Sequence, residues 1–157
     1  MRNAAQLILA VTLPLAVGGL SGFATASGVA SWYPTLAKPS FNPTAWVFGP
    51  TGTVLYIQMG VALFLVWQQG QNTQGVRLAL FVFGVQLMLN ALWSIIFFRM
   101  QSPGWAFAEI ILLWSAIIAT LWAFWRVMPA AGWLLVPYLA WVSFAAVLNG
   151  SIWFLNR

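Results

Sequence analysis

Five apolar stretches alternate along the chain with polar or proline-rich connectors. They run Ala4–Ala26, Trp46–Trp67, Leu78–Phe98, Gly104–Trp125 and Gly132–Leu155. Each reaches the ~20 residues that cross a hydrocarbon core, and only the fourth holds a charge, Glu109. Backbone polar groups find no water inside a bilayer, so the stretches are predicted to be helices; the period-two alternation of a membrane barrel is absent. The fold class that follows is an all-α integral membrane protein, a five-transmembrane-helix bundle built as one domain over residues 1–157. The connectors Gln68–Arg77, Arg99–Pro103 and Arg126–Ala131 are short, which predicts sequential helices packed as antiparallel neighbours.

The remaining connector, residues 27–45, is different. From Trp32 to Trp46 the chain reads W-Y-P-T-L-A-K-P-S-F-N-P-T-A-W, with Pro34, Pro39 and Pro43 among Trp32, Tyr33, Phe41 and Trp46. Proline rings fix φ and stiffen the segment, and its aromatics are too apolar to stay in water. It is predicted to fold back over the bundle mouth as a lid, which implies a cavity beneath it for a flat, apolar ligand.

Polar residues inside the spans are costly and therefore informative. Gln86, Asn90 and Ser94 repeat at i, i+4 and i+8 and share one face of the third span; they are either interhelical hydrogen-bond partners or ligand contacts, and Asn149 has the same two readings. Glu109 is predicted to be structural, held by a hydrogen bond or a cation. Gly18 and Gly22 give the first span a small-xxx-small face for close packing. That spacing favours a membrane span over a signal peptide, the other reading of Arg2, an apolar run and Ala24-Thr25-Ala26. Of the eleven tryptophans, Trp67, Trp105, Trp125, Trp133 and Trp153 lie near span ends, and most of these read as an interfacial belt; Trp93, Trp114, Trp122 and Trp141 lie further in, where an indole N–H needs a partner.

Composition narrows the chemistry. The chain is 62% hydrophobic and 4% charged, with mean hydropathy +0.91, far from the ~25% charge of a soluble domain. The net charge of +5 comes from scattered cations, which excludes the clustered Lys/Arg of a nucleic-acid site. Arg2, Arg77 and Arg126 fall on one side of five spans and Lys38, Arg99 and Arg157 on the other, so the basic residues assign no orientation. With one acid, no His and no Cys, the chain offers no metal site, no paired-carboxylate site and no Ser-His-Asp or Cys-His nucleophile. No catalytic residue is assigned.

The motifs Trp32-Tyr33, Lys38-Pro39, Asn42-Pro43, Trp46-Val47-Phe48-Gly49-Pro50 and Leu55-Tyr56 resemble those of the translocator protein / tryptophan-rich sensory protein (TspO/MBR) family. So do Gln86-Leu87 through Asn90, Trp93, Phe97-Phe98, Pro137-Tyr138-Leu139-Ala140-Trp141 and Leu148-Asn149. The resemblance spans nearly the whole chain. It implies a five-helix bundle, commonly a homodimer in the bilayer, that binds protoporphyrin-type tetrapyrroles as ligands and requires no cofactor. A receptor, carrier or sensor is the leading reading; light-dependent porphyrin breakdown and a structural dimeric module are the alternatives. A helical bundle of this kind in a bacterium belongs to the inner membrane.

Carried over by motif, the resemblance implies a pocket lined by Gly22, Thr25, Trp32, Tyr33, Trp46, Phe48, Asn90 and Trp93, then Trp105, Ala108, Leu112, Trp141, Ala145 and Leu148. Two positions depart from the family pattern. Gly52 stands where many members carry Trp, which predicts a wider pocket with one fewer stacking ring. Gly150 replaces the Tyr that follows Leu-Asn, removing part of a sterol-associated motif.

Overall fold

The computed structural model describes residues 1–157 and contains no strand. Five long helices, α1 (Arg2–Ser27), α2 (Phe48–Trp67), α3 (Val76–Ser94), α4 (Pro103–Val127) and α5 (Pro129–Leu155), are each apolar and long enough to cross a membrane. The protein is an integral, multi-pass membrane protein. Pro103 and Pro129 open their helices at the first helical position, where the missing N–H is no loss.

The helices do not all pack in chain order. α1 lies against α2, α2 against α5, α5 against α4, α4 against α3, and α3 closes the ring onto α1. The expectation that sequential helices are neighbours holds for α3–α4 and α4–α5 but only weakly for α2–α3. The eight-residue polar connector 68–75, with left-handed Gly70 and Gly75 (φ +87 at each), is long enough to step past α1.

Glycines and small polar residues set the closest approaches. Gly60 of α2 lies directly on Val11 and on the Ala10 carbonyl of α1; Pro14, one turn on, leaves that carbonyl without its helical donor. Gly18 of α1 takes the Tyr56 ring against its backbone. On the other side of the ring, Thr120 Oγ1 donates to the Val82 carbonyl at 3.1 Å, and Phe83 stacks on Phe124 at 5.7 Å, fixing the α3–α4 register.

The lid is shorter than the sequence predicts. α1 runs on through a π-helical turn, Gly28–Trp32, and a 3₁₀ turn, Tyr33–Thr35, while Ala45–Val47 forms a 3₁₀ turn leading into α2. Only Leu36–Thr44 is irregular. A second π-helical turn, Ile95–Arg99, extends α3. The two wide turns face each other, with Gly28 seated on the Phe98 carbonyl, and they swing Trp32 and Tyr33 onto Phe97 and Phe98. Turns of this kind frequently mark functional sites.

Candidate functional site

The buried polar side chains converge in the middle of the bundle. Tyr56 of α2 donates its hydroxyl to Asn90 Oδ1 at 2.6 Å; Asn90 Nδ2 donates to the Tyr138 hydroxyl at 2.9 Å; Tyr138 donates onward to Gln86 Oε1 at 2.8 Å. Gln86 Nε2 ends the chain 4.0 Å from Met59 Sδ. Each link joins two helices, so one directed relay ties α2, α3 and α5 together. In hydrocarbon an unpaired hydroxyl or amide costs several kcal/mol, which is why these four side chains find one another.

Directly beside the relay is a partly open cavity of about 120 Å³. Tyr56, Asn90 and Tyr138 form its polar wall; Trp93, Trp141, Ala145, Met59, Ile110 and Leu113 form its apolar walls, and Gly52 leaves one side without a side chain. A Cβ placed on Gly52 would meet only the Tyr56 ring, at 3.9 Å. Trp93 is held from behind: its indole N–H donates to Asn149 Oδ1 at 2.9 Å, and Asn149 Nδ2 donates to the Pro103 carbonyl at 2.9 Å. An aromatic layer separates the cavity from the lid. Phe48 and Phe144 pack on Trp141, at 5.9 and 5.6 Å between centroids, and Phe41 of the lid packs edge-on to Phe144 at 6.2 Å. Trp93 stacks on Phe97 at 5.2 Å, and Phe97 in turn meets Trp32 at 5.7 Å.

The family-implied residues thus separate into three groups. Asn90, Trp93, Trp141 and Ala145 line the cavity. Trp32, Tyr33, Phe48 and Leu148 lie one layer nearer the lid, packed with Phe97, Ala106 and Ile152. Thr25 is buried but gives its hydroxyl to the Ser21 carbonyl of its own helix. The third group points away. Gly22 has nothing within reach of a Cβ, Trp46 is 75% exposed, and Trp105, Ala108 and Leu112 all lie on the outer face of α4. The reason on α4 is helical phase: Ala106, Glu109, Ile110, Leu113 and Ile117 form the buried stripe, and Ala108 and Leu112 lie roughly on the opposite side of a helix with 3.6 residues per turn.

Tyr56 and Tyr138 are among the cavity residues that motif transfer omits, with Ser94 and apolar residues such as Met59, Ile110 and Leu113. A signal for the two tyrosines was present, since a tyrosine deep in an apolar span needs a hydroxyl partner, and Gln86 and Asn90 were the available ones. The open choice at Gln86, Asn90 and Asn149 is resolved as interhelical hydrogen bonding, with Asn90 also facing the cavity. Glu109 is a correction. It is buried, yet neither carboxylate oxygen meets a hydrogen-bond partner or a cation.

Two larger hollows lie on the surface. A trough of about 830 Å³ runs along the outer face of α4 and α5, with Phe107 packed on Gly150. A polar recess of about 510 Å³ sits at the opposite end of the bundle from the lid, among Arg2, Gln6 and Gln68. Neither contains the relay or lies under the aromatic layer.

A five-helix membrane bundle with a proline-stiffened lid, an aromatic layer and a polar-walled cavity is the class these features define. Residues 10–154 match the TspO/MBR family, and the chain belongs to it. It is 47% identical over 150 residues to the tryptophan-rich protein TspO of Chlorobaculum tepidum, covering 96% of this chain and 95% of the relative. It is 39% identical over 155 residues to the tryptophan-rich protein TspO of Archaeoglobus fulgidus, covering 98% and 99%. The human translocator protein is 42% identical over 123 residues, 78% of this chain and 73% of the relative.

Proposed function

We propose that this protein is a membrane receptor or carrier for a tetrapyrrole of the protoporphyrin type, taken up beneath the lid against Trp93 and Trp141. The observation that carries the reading is the cavity wall: two indoles and a small Ala145 on one side, a hydrogen-bonding Tyr56–Asn90–Tyr138 edge on the other. Mostly apolar walls with a few convergent polar groups are the usual make-up of a small-molecule site, and a planar macrocycle offers a π-face to the indoles and polar edges to the amide. Names among the relatives, translocator protein and tryptophan-rich sensory protein, agree with carriage or sensing.

At about 120 Å³ the cavity is smaller than the ~300–1,000 Å³ of drug-sized ligand sites, so a tetrapyrrole must displace the aromatic layer to enter. Uptake is therefore expected to be slow and coupled to lid movement. The test is a protoporphyrin IX titration of the protein in nanodiscs, read by tryptophan quenching. Saturable 1:1 quenching that weakens at least tenfold in Trp141→Ala supports the reading; quenching that is unsaturable, or unaltered by that change, defeats it.

A further inference from the structure

We propose that Asn156 is the latch of the lid: its side-chain amide grips the Ala37 peptide from both sides, and its release governs how fast a ligand enters and leaves. The kinetic half rests on the binding reading above; the latch itself rests on geometry.

The grip has two points. The Ala37 N–H donates to Asn156 Oδ1 at 2.9 Å, and Asn156 Nδ2 donates to the Ala37 carbonyl at 2.8 Å. A primary amide presents one donor and one acceptor side by side, as a neighbouring peptide would, and only Asn and Gln side chains can do so. The amide is aimed before it reaches the lid, because Nδ2 also donates to the Ile152 carbonyl of the last turn of α5 at 2.7 Å. This contact joins positions 119 residues apart, tying the lid to the far end of the chain.

No other polar contact joins Leu36–Thr44 to α3, α4 or α5. Its remaining hydrogen bonds return to its own roots: the Tyr33 hydroxyl donates to Asn42 Oδ1 at 2.9 Å, Lys38 Nζ donates to the Leu36 carbonyl at 3.1 Å, and a turn joins Asn42 to Pro39. Pro34, Pro39 and Pro43 keep the strap stiff, so losing its one polar anchor at the end of α5 frees it to pivot about its root on the first span, where Tyr33 holds Asn42. Beneath the strap, Phe41 rests on Phe144, and Phe144 on Trp141 at the cavity wall. The rings that must move to admit a guest are thus covered by the segment that Asn156 holds. Asn156 is exposed, so water competes for the amide and the latch can open at modest cost. Asn156 acts through the lid, as a positioning residue.

The chain has no Cys, so Ser40→Cys places one spin label on the exposed lid. Spectra in nanodiscs without ligand are compared for Asn156, Asn156→Asp and Asn156→Leu. Asp keeps the acceptor for the Ala37 N–H and loses the donor, so mobility is expected to rise in the order Asn, Asp, Leu. In parallel, stopped-flow protoporphyrin IX binding to the unlabelled proteins is expected to show on- and off-rates both rising about tenfold in Asn156→Leu, the scale of two exposed hydrogen bonds. Kd should move less than threefold and the melting temperature little. A merely structural role would lower the melting temperature and raise the off-rate alone, and that result overturns the proposal. An unchanged spectrum in Asn156→Leu overturns the latch; a mobile lid with unchanged rates overturns its control of entry. Failure of the unaltered protein to bind porphyrin defeats the binding reading instead, and the ligand-free spectra still decide the latch.

Discussion

Asn90 donates to the Tyr138 hydroxyl across 2.9 Å, and that one contact commits both residues. Because Tyr138 accepts from Asn90, its own hydrogen is free for Gln86; because Asn90 spends its amide on Tyr138, its carbonyl is free for Tyr56. The wall of the cavity is therefore a polarised line rather than four separate polar groups, and its direction is fixed by the interhelical geometry of α2, α3 and α5.

Removing the middle of that line is expected to cost more than removing its start. Tyr138→Phe leaves the Asn90 donor and the Gln86 acceptor both unpaired in a buried site, whereas Tyr56→Phe strands only the Asn90 carbonyl at a half-buried one. Thermal unfolding in detergent should show a loss of ~1–3 kcal/mol for Tyr138→Phe and a smaller loss for Tyr56→Phe, near the ~0.6 kcal/mol average of membrane hydrogen bonds. Equal losses would show that the relay is not directional.

Two glycines on one helix should respond to alanine with opposite signs. A Cβ at Gly52 reaches only the Tyr56 ring at 3.9 Å, while a Cβ at Gly60 collides with the α1 backbone at Val11 and Ala10. Gly52→Ala should stabilise by ~0.5–1 kcal/mol through helix propensity, and Gly60→Ala should destabilise by forcing α1 and α2 apart. Gly52→Trp goes further: its indole would occupy the space now left open, raising the melting temperature while opposing the expansion a tetrapyrrole needs. Tighter porphyrin binding by Gly52→Trp would show that the ligand stacks on position 52 instead.

Glu109 gives the bundle nothing that the structure reveals. Its carboxylate is buried without a partner, and burying an unsatisfied polar group costs ~1–3 kcal/mol. Glu109→Leu is expected to raise stability by about that amount, with Glu109→Gln between the two, and both should bind porphyrin within tenfold of the unaltered protein. A melting temperature that falls in Glu109→Leu would reveal a partner for the carboxylate.

The outward residues of α4 supply a control for the site. Trp105 is 74% and Leu112 62% exposed, so Trp105→Ala and Leu112→Ala should change porphyrin affinity less than twofold, while Trp141→Ala weakens it at least tenfold. A strong effect at Leu112 would place the ligand on the outer face of α4.

Hydrophobic length alone determined the membrane class and the five helices, because hydrocarbon tolerates no unpaired backbone and leaves the chain little choice. The proline-aromatic run likewise marked a lid over residues 27–45, of which only Leu36–Thr44 is irregular, and the i, i+4 repeat of Gln86 and Asn90 marked one polar face. What the sequence could not specify was phase and partnership. Whether Ala108 or Ile110 turns inward depends on how α4 seats against α3 and α5, and the one polar residue between them, Glu109, is itself buried, so polarity does not report the buried side. The ring order that puts α5 rather than α3 beside α2 likewise comes from packing between helices, as close approaches such as Gly60 on Val11 and Gly18 on Tyr56 do for α1 and α2. The facing π-helical turns Gly28–Trp32 and Ile95–Arg99, and the pairing of Ala37 with Asn156, join positions brought together only after the helices dock. Tertiary packing decided these features because each depends on distances between helices, and a linear pattern of apolar residues carries no record of those distances.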